Sequence, residues 1–201
     1  MLTKTYGAAV SGIDAIVVTM EVSIENGMGF CIVGLPDAAV KESYERVRSA
    51  IKIYGVQFPH RDVVVNMSPA DVRKEGAAYD LPIAVAVLAA DGKLANDQLH
   101  EYMIMGELSL DGSLQPIQGV LPIALAARKA GFKGVILPEQ NAREAAVVEQ
   151  IDIYGLNNIQ DVIRFLNGTQ AFEPVRVDTA AEFRLHAFNA DLDFSDVRGQ
   201  E

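Results

Sequence analysis

The hydrophobic residues of the first third of the chain alternate with polar ones at the two-residue period of β-strands. Three stretches have this character and are rich in β-branched residues: TKTYGAAV (3–10), IDAIVVTMEVSI (13–24) and GFCIVG (29–34). Asn26 and Gly27, between the second and third stretches, form a common hairpin-turn dipeptide. The pattern therefore predicts three consecutive strands that pair antiparallel.

After Pro36 the hydrophobic period changes to that of an amphipathic helix. Asp37 is a favourable N-cap, and Gly55 is a favourable residue just past a helix C-terminus. Between them the apolar residues recur at steps of four and three: Val40, Tyr44, Val47, Ile51 and Tyr54. This spacing predicts a helix with one face toward the core and charged residues on its other faces.

The rest of the chain alternates between short strands and helices. Strands are predicted at RDVVVNMSP (61–69), GVILP (134–138) and IDIYG (151–155), and a hairpin that turns at Asp111 and Gly112. Helices are predicted at AYDLPIAVAVLAADGKL (78–94), 119–130, from Glu139 onward, and at 158–168. We expect Asp80 to cap the first of these helices. Together the elements predict an α+β or mixed α/β fold over 1–168, followed by a linker over 169–201.

Composition narrows the class of protein. Of 201 residues, 50% are hydrophobic and 22% are charged, as in globular domains. The single Cys31 cannot form an internal disulfide, and no apolar run approaches the roughly 20 residues of a membrane span. We therefore predict a cytoplasmic protein with no membrane contact.

Charge is distributed unevenly along the chain. The net charge of −10 argues against the whole chain being an autonomous duplex-DNA binder. Residues 41–74 nevertheless hold seven basic against four acidic residues, a net charge of +3, whereas 178–201 hold six acids against two arginines. The candidate residues for binding DNA or a protein partner are Lys41, Arg46, Arg48, Lys52, Arg61, Arg73 and Lys74. A solvated, ion-paired helix face is the alternative interpretation, and no aromatic interleaving supports stacking of single strands.

Motifs for cofactor chemistry are missing from the sequence. No G-x-x-x-x-G-K-[ST] phosphate loop occurs, so this chain alone is not expected to hydrolyse nucleotides. His60, His100 and His186 are far apart, and Cys31 is expected to be a buried residue inside a strand. We predict no metal site and no cofactor in this chain.

Ser68 is the best candidate for a nucleophile. It lies six residues before Lys74, which could act as a base only if desolvation lowered its pKa. Both Lys74 and its loop are expected to face solvent. The alternative interpretation is that Ser68 ends a strand through a local turn before Pro69.

Three longer segments, taken together, resemble a known family. VGLPDAAVKESYERVRSAI (33–51), VVVNMSPADVRKEGAAYDLPIAVAVL (63–88) and 106–148 resemble the N-terminal domain of the magnesium-chelatase-like AAA+ ATPases of the YifB/ComM type. The resemblance runs nearly collinearly from residue 1 to about residue 168. The same segments are similar to the proteolytic domain of Lon proteases, which implies a Lon-type α+β fold like that of ribosomal protein S5 domain 2.

The resemblance to Lon implies where a catalytic dyad would lie. Lon has its nucleophilic serine in a D-G-P-S-A-G pattern and its lysine in a P-I-G-G-L-K-E-K pattern. Here Glu75 and Gly76 take the D-G place, Ala78 (or at most a neighbour, Ala77 or Tyr79) takes the serine place, and Ile123 takes the lysine place. Because the mechanism needs hydroxyl and base together, we expect no peptidase chemistry.

The end of the chain implies a longer protein. FSDVRGQE (194–201) resembles the entry to an AAA+ module, which in this family supplies ATP and Mg²⁺ binding. The implied partners are that module and neighbouring subunits of a hexameric ring, with DNA as a candidate substrate, and DNA branch migration during natural transformation in the ComM branch. We therefore expect a non-catalytic accessory domain; a residual serine peptidase using Ser68 and Lys74, or a subunit that inserts Mg²⁺ into porphyrin, are the alternatives.

Overall fold

A computed structural model describes residues 2–95 and 97–177, which form strands and helices in alternation. The strands are β1 (Leu2–Ser11), β2 (Asp14–Glu25), β3 (Gly29–Val33), β4 (Asp62–Ser68), β5 (Tyr102–Ile104), β6 (Glu107–Leu108), β7 (Leu114–Gln115), β8 (Gly134–Pro138) and β9 (Asp152–Leu156). The helices are α1 (Ala38–Lys41), α2 (Ser43–Ile53), α3 (Asp80–Ala90), α4 (Val120–Lys129), α5 (Glu139–Ala145) and α6 (Ile159–Leu166). Short 3₁₀ turns occupy Ala77–Tyr79 and Leu99–Glu101.

Seven of these strands form one mixed sheet in the order β3-β4-β2-β1-β5-β8-β9. Strand β2 is antiparallel to both of its neighbours, β1 and β4, and the other described neighbours pair in parallel. The separate hairpin of β6 and β7 turns at Asp111 and Gly112, as predicted. The predicted mixed α/β fold class is confirmed.

The predicted antiparallel start is wrong at its third strand. Strand β2 pairs with β4 instead, and β3 pairs in parallel with the far side of β4. The β2–β4 register places Met20 beside Met67 and Val22 beside Val65, and all four side chains are fully buried. Strand β3 is short and alternates between exposed and half-buried residues, which suits the sheet edge that it occupies.

The helix predicted after Pro36 is interrupted. Asp37 caps it as expected, since the Val40 N–H donates to Asp37 Oδ1 at 2.8 Å, but a turn at Glu42 divides it into α1 and α2. Asp80 is not the predicted cap of α3; it lies in the first turn and is fully buried. Every residue of α3 is buried, so this carboxylate has no access to water and must find a partner inside the protein.

Helices cover both faces of the sheet at β1. On one face the Thr5 hydroxyl donates to the Pro82 carbonyl of α3 at 3.1 Å. On the other face Val10 lies against Gly119, where α4 begins. Because α3 packs against β1, β2 and α2, it forms the centre of the hydrophobic core.

The end of the described chain contacts β9 at Val175 and Arg176. The Val175 N–H donates to the Ile153 carbonyl at 2.8 Å, and Arg176 contacts Asp152 at 2.6 Å. The segment that resembles the entry to an AAA+ module, 194–201, lies outside the described residues, and the division at residue 168 stays a prediction. Among residues 2–95 and 97–177, no helix has the length and apolar composition that crossing a membrane requires.

The close approach of the β3 end to β4 gives a stability prediction. Gly34 has φ +100°, and a Cβ there would lie 2.0 Å from the Met67 carbonyl oxygen, whereas Gly12 has φ +62° and open space around it. We expect Gly12→Ala to cost about 1 kcal/mol, from backbone strain alone. Gly34→Ala adds a backbone clash and should cost at least about 2 kcal/mol more. Urea unfolding followed by circular dichroism measures both, and equal losses would contradict the close approach.

Candidate functional site

The two positions that correspond to the Lon dyad hold apolar side chains. Ala78 lies half-buried in the 3₁₀ turn Ala77–Tyr79, and its carbonyl accepts a hydrogen bond from the Gly106 N–H at 2.8 Å. Ile123, in α4, is only 1% exposed. Neither side chain offers a hydroxyl or an amine, and the hydroxyl of Tyr79, a neighbouring alternative for the serine place, is buried and donates to the Ala8 carbonyl at 3.0 Å.

Lys74 is the most deeply buried cation among the described residues. The expectation that it faces solvent is wrong, because its exposure is 0%. Its ammonium group donates to the carbonyls of Gly34 at 2.7 Å and Met67 at 3.0 Å, and also to that of Pro69. An ammonium group has three donors, so all of them are used.

The backbone of Lys74 is tied to the same neighbourhood. Its N–H donates to the Leu35 carbonyl at 3.2 Å, and its carbonyl accepts from the Asp37 N–H at 3.0 Å. The carboxylate of Asp37 accepts in turn from the Gly76 N–H at 3.0 Å. Lys74 and Asp37 therefore join the ends of β3 and β4 to the start of α1 and to the loop that leads to Ala78.

The hypothesis of a Ser68 and Lys74 pair finds no support in this geometry. Burial lowers the pKa of Lys74, against an opposing effect of Asp71, which is the direction a catalytic lysine requires. Its three donors are nevertheless committed to backbone carbonyls. The Ser68 hydroxyl lies instead 3.5 Å from the Asn66 side-chain nitrogen, on the face of β4 that alternates away from buried Met67.

Arg46 forms an internal ion pair with the buried Asp80. Its Nε and Nη2 atoms donate to the two carboxylate oxygens at 2.6 and 2.9 Å, and Nη2 also donates to the Ala39 carbonyl at 2.8 Å. The Leu108 N–H donates to the same carboxylate at 3.2 Å. Burial raises the pKa of Asp80 to about 6, against the opposing effects of Arg46 and of the Leu108 N–H.

The remaining five predicted binding residues are exposed. Lys41, at the end of α1, and Arg48 and Lys52, on α2, point into solvent. Arg61 contacts Asp91 at 2.6 Å, and Arg73 contacts Glu75 at 3.0 Å. The seven cations thus do not form one surface, because Arg46 and Lys74 have structural roles inside the protein.

Sequence reasoning missed a cluster of aromatic rings beside these cations. Phe30 of β3, Tyr44 of α2 and Phe58 of the loop before β4 stand with ring centroids 4.9 to 6.0 Å apart. They line an open cavity of about 430 Å³ together with Lys41, His60 and Arg61. The expectation that aromatic residues do not mix with the basic ones is therefore wrong. Only Tyr44, three residues after Lys41, offered a local signal.

Potential metal ligands are scattered in the part of the chain that the structure describes. No group of three or more His, Cys, Asp or Glu side chains comes together within residues 2–95 and 97–177. Cys31, expected to be buried, is exposed because it lies on the face of β3 opposite to the half-buried Phe30 and Ile32.

Comparison with known proteins identifies the family. The model of the family described as "Subunit ChlI of Mg-chelatase" matches residues 20–141, more than half of the chain. The chain belongs to the ChlI family. Across its whole length, this ChlI-family chain is 38% identical to Competence protein ComM of Haemophilus influenzae and 40% identical to the uncharacterized protein YifB of Salmonella typhimurium. It spans 39% and 38% of the length of these two relatives.

A weaker similarity connects the ChlI-family chain to Lon proteases. Lon protease 2 of Bacillus subtilis is 30% identical over 126 residues, which cover 61% of this chain and 22% of the protease. The mixed, mainly parallel sheet is compatible with this similarity. The chain therefore combines a Lon-like sequence with an Ala and an Ile at the dyad positions.

The buried ion pair gives a second stability prediction. Asp80→Asn leaves the Arg46 guanidinium without its buried counter-charge and should destabilise the protein by about 3–5 kcal/mol. Glu42→Gln removes a carboxylate that is 72% exposed and 4.0 Å from the same arginine, and no measurable change is expected. Urea unfolding of both variants measures the difference. Similar losses for the two would show that the Arg46 and Asp80 pair is not a structural anchor.

Proposed function

We propose that this domain is a non-catalytic, Lon-like module that binds DNA for a longer, ring-forming AAA+ ATPase in the cytoplasm. The proposal that the domain is non-catalytic rests on the side chains at the two positions that correspond to the Lon dyad. Ala78 and Ile123 are apolar, and the nearby Lys74 has all three donors bound to carbonyls. These residues therefore support the structure and supply no reactive group.

The DNA-binding part rests on a cationic stripe, defined as Lys41, Arg48 and Lys52. Tyr44, Arg48 and Lys52 recur at intervals of four and share one side of α2, and Lys41, at the end of α1, lines the same cavity as Tyr44. All three cations are exposed, and Glu42 and Glu45 are the acidic residues beside them in the sequence. Lysine and arginine contacts to phosphates provide most of the non-specific affinity for DNA. The net charge of −10 disfavours DNA elsewhere on the chain, which directs any contact to the stripe.

The relatives suggest the setting of this activity. The name of the Haemophilus influenzae relative assigns that protein to competence, and we extend a DNA-processing role, branch migration during transformation, to this chain. ATP and Mg²⁺ are then bound by the AAA+ portion of the longer protein, and the partners are that portion and the neighbouring subunits of a hexamer. We do not extend porphyrin metalation to this chain, because its described residues assemble no cluster of metal ligands.

The absence of hydrolase activity can be tested directly. We expect no labelling of the purified chain by a serine-reactive phosphonate and no cleavage of casein, because the Lys74 ammonium, the base considered for Ser68, has its three donors bound to backbone carbonyls. Trypsin serves as the positive control. Labelling that Ser68→Ala abolishes would show a residual hydrolase and overturn the non-catalytic assignment.

Charge reversal tests the DNA-binding stripe. The variant Lys41→Glu, Arg48→Glu, Lys52→Glu should lose more than tenfold in affinity for a fluorescein-labelled duplex at low salt. The plot of log K against log salt should become shallower by about 2 to 3 units, since up to three phosphate contacts are lost. The matched control reverses Arg128 and Lys129, two exposed cations at the end of α4, and should change neither quantity.

The result also separates DNA from a protein partner. Unchanged DNA titrations of the stripe variant would reject the DNA assignment. Loss of oligomers of the longer protein in the same variant, measured by light scattering, would then assign the stripe to a neighbouring subunit.

A further inference from the structure

An open cavity, here called the aromatic groove, lies beside α1 and α2. It is defined by the rings of Phe30, Tyr44 and Phe58 and by Lys41, His60 and Arg61. The Tyr44 ring is nearly perpendicular to that of Phe58, at 89° and 5.2 Å, and is inclined by 35° to that of Phe30 at 4.9 Å. The three rings therefore form one aromatic cluster along the wall of the groove.

The three rings are not simply part of the core. Phe30 and Phe58 pack against the hydrophobic core and Tyr44 contacts both of their rings, yet all three side chains are only half-buried and line the open cavity. Met28, at the same cavity, is 91% exposed. A contiguous apolar surface of this kind, bordered by charged residues, is typical of a binding site. A volume of about 430 Å³ lies in the range of sites for a single small ligand or one unit of a polymer.

The charges around the groove favour an anionic ligand. Lys41 lines it from α1, and the Arg48 guanidinium lies 5.9 Å from the centroid of the Tyr44 ring. Arg61 shares the carboxylate of Asp91 with Lys93, both at 2.6 Å, so one carboxylate serves two cations there. The opposing carboxylates are Asp62, beside Gly29, and the exposed Glu42 and Glu45, next to Lys41 and Tyr44 in the sequence. Aromatic rings together with cations match a ligand that has a flat ring and a phosphate.

The groove also leads into the cationic stripe. Tyr44, Arg48 and Lys52 follow one another at intervals of four residues along α2, about 6 Å per step. If one unit of a polymer chain occupied the groove, the following units would lie near Arg48 and Lys52 on the helix. This spacing is comparable to the separation of phosphates along an extended single strand.

We propose that the aromatic groove binds an unpaired base of a single-stranded nucleic acid. The base stacks on Tyr44 and its ring neighbours, while Lys41 and Arg61 contact the adjacent phosphates. Paired bases are enclosed in the duplex stack, so the groove distinguishes single strands from duplexes. This inference rests on the proposed DNA-binding function and adds to it the strand type and the stacking residues.

The test compares single-stranded and duplex binding in ring variants. Fluorescence anisotropy is measured with labelled 12-nucleotide oligo(dT) and with a 12-base-pair duplex. Tyr44→Leu and Phe58→Leu should each lower the affinity for oligo(dT) about tenfold, as expected for the loss of one stacking contact, and leave the duplex affinity unchanged. The matched control is Tyr6→Leu, from a half-buried aromatic pair with Phe132 at 5.3 Å. Circular dichroism verifies that each variant is folded.

A second readout locates the base. Oligo(dT) with one 5-iodouracil is photo-crosslinked to the chain, and we expect the adduct on Tyr44, Phe58 or Phe30. Adducts confined to other elements would overturn the proposal even if the affinity falls in the ring variants.

The outcomes separate this inference from the proposed function. If the stripe reversal weakens duplex binding but the ring variants bind oligo(dT) as tightly as the original chain, the groove proposal fails and the DNA-binding stripe stands. If the ring variants lose oligo(dT) while the stripe reversal leaves duplex binding unchanged, the groove stands and the stripe fails. A phenylalanine-containing peptide that binds in a Tyr44-dependent way, with no oligonucleotide binding, would overturn the proposal in favour of a peptide groove.

Discussion

A single buried ammonium group organises the part of this domain where a Lon protease has its nucleophile. Lys74 has no access to water, and an unpaired charge in that position would be strongly destabilising. The chain satisfies it with three backbone carbonyls, those of Gly34, Met67 and Pro69. Those contacts hold the end of β3 against the end of β4 and set the direction of the loop that leads to Ala78. The close backbone approach at Gly34 is part of the same arrangement.

The internal partners of two basic residues also decide which positive charges remain at the surface of the domain. Lys74 donates hydrogen bonds to backbone carbonyls, and Arg46 forms an ion pair with Asp80. Both cations therefore have their partners inside the protein. Of the seven predicted binding residues, the exposed ones are Lys41, Arg48 and Lys52 on α1 and α2, Arg61 beside the aromatic groove, and Arg73. The proposed DNA contact therefore lies on a helix face with an adjoining groove. The loop that would hold the nucleophile of a protease serves as a structural anchor.

Most helices and strands were predictable from the sequence because hydrophobic period, caps and turn residues act locally. The limits of α4, β8 and α6, for example, follow from patterns within ten residues or so. The partner of β3 was not predictable, because the order of strands depends on which surfaces pack together. Asp80 was misassigned for a related reason: an acid in a first helical turn looks the same whether it caps the helix or pairs with a buried arginine.

The sequence by itself determined the fold class, the family resemblance, and the absence of a hydroxyl and an amine at Ala78 and Ile123. These properties depend on the identity of single residues and on short-range order. Only the tertiary structure decided that Lys74 is buried, that Arg46 is paired with Asp80, and that Phe30 and Phe58 stand beside Tyr44. Burial, pairing and grooves depend on what packs against a side chain, and here the packing partners come from segments distant along the chain.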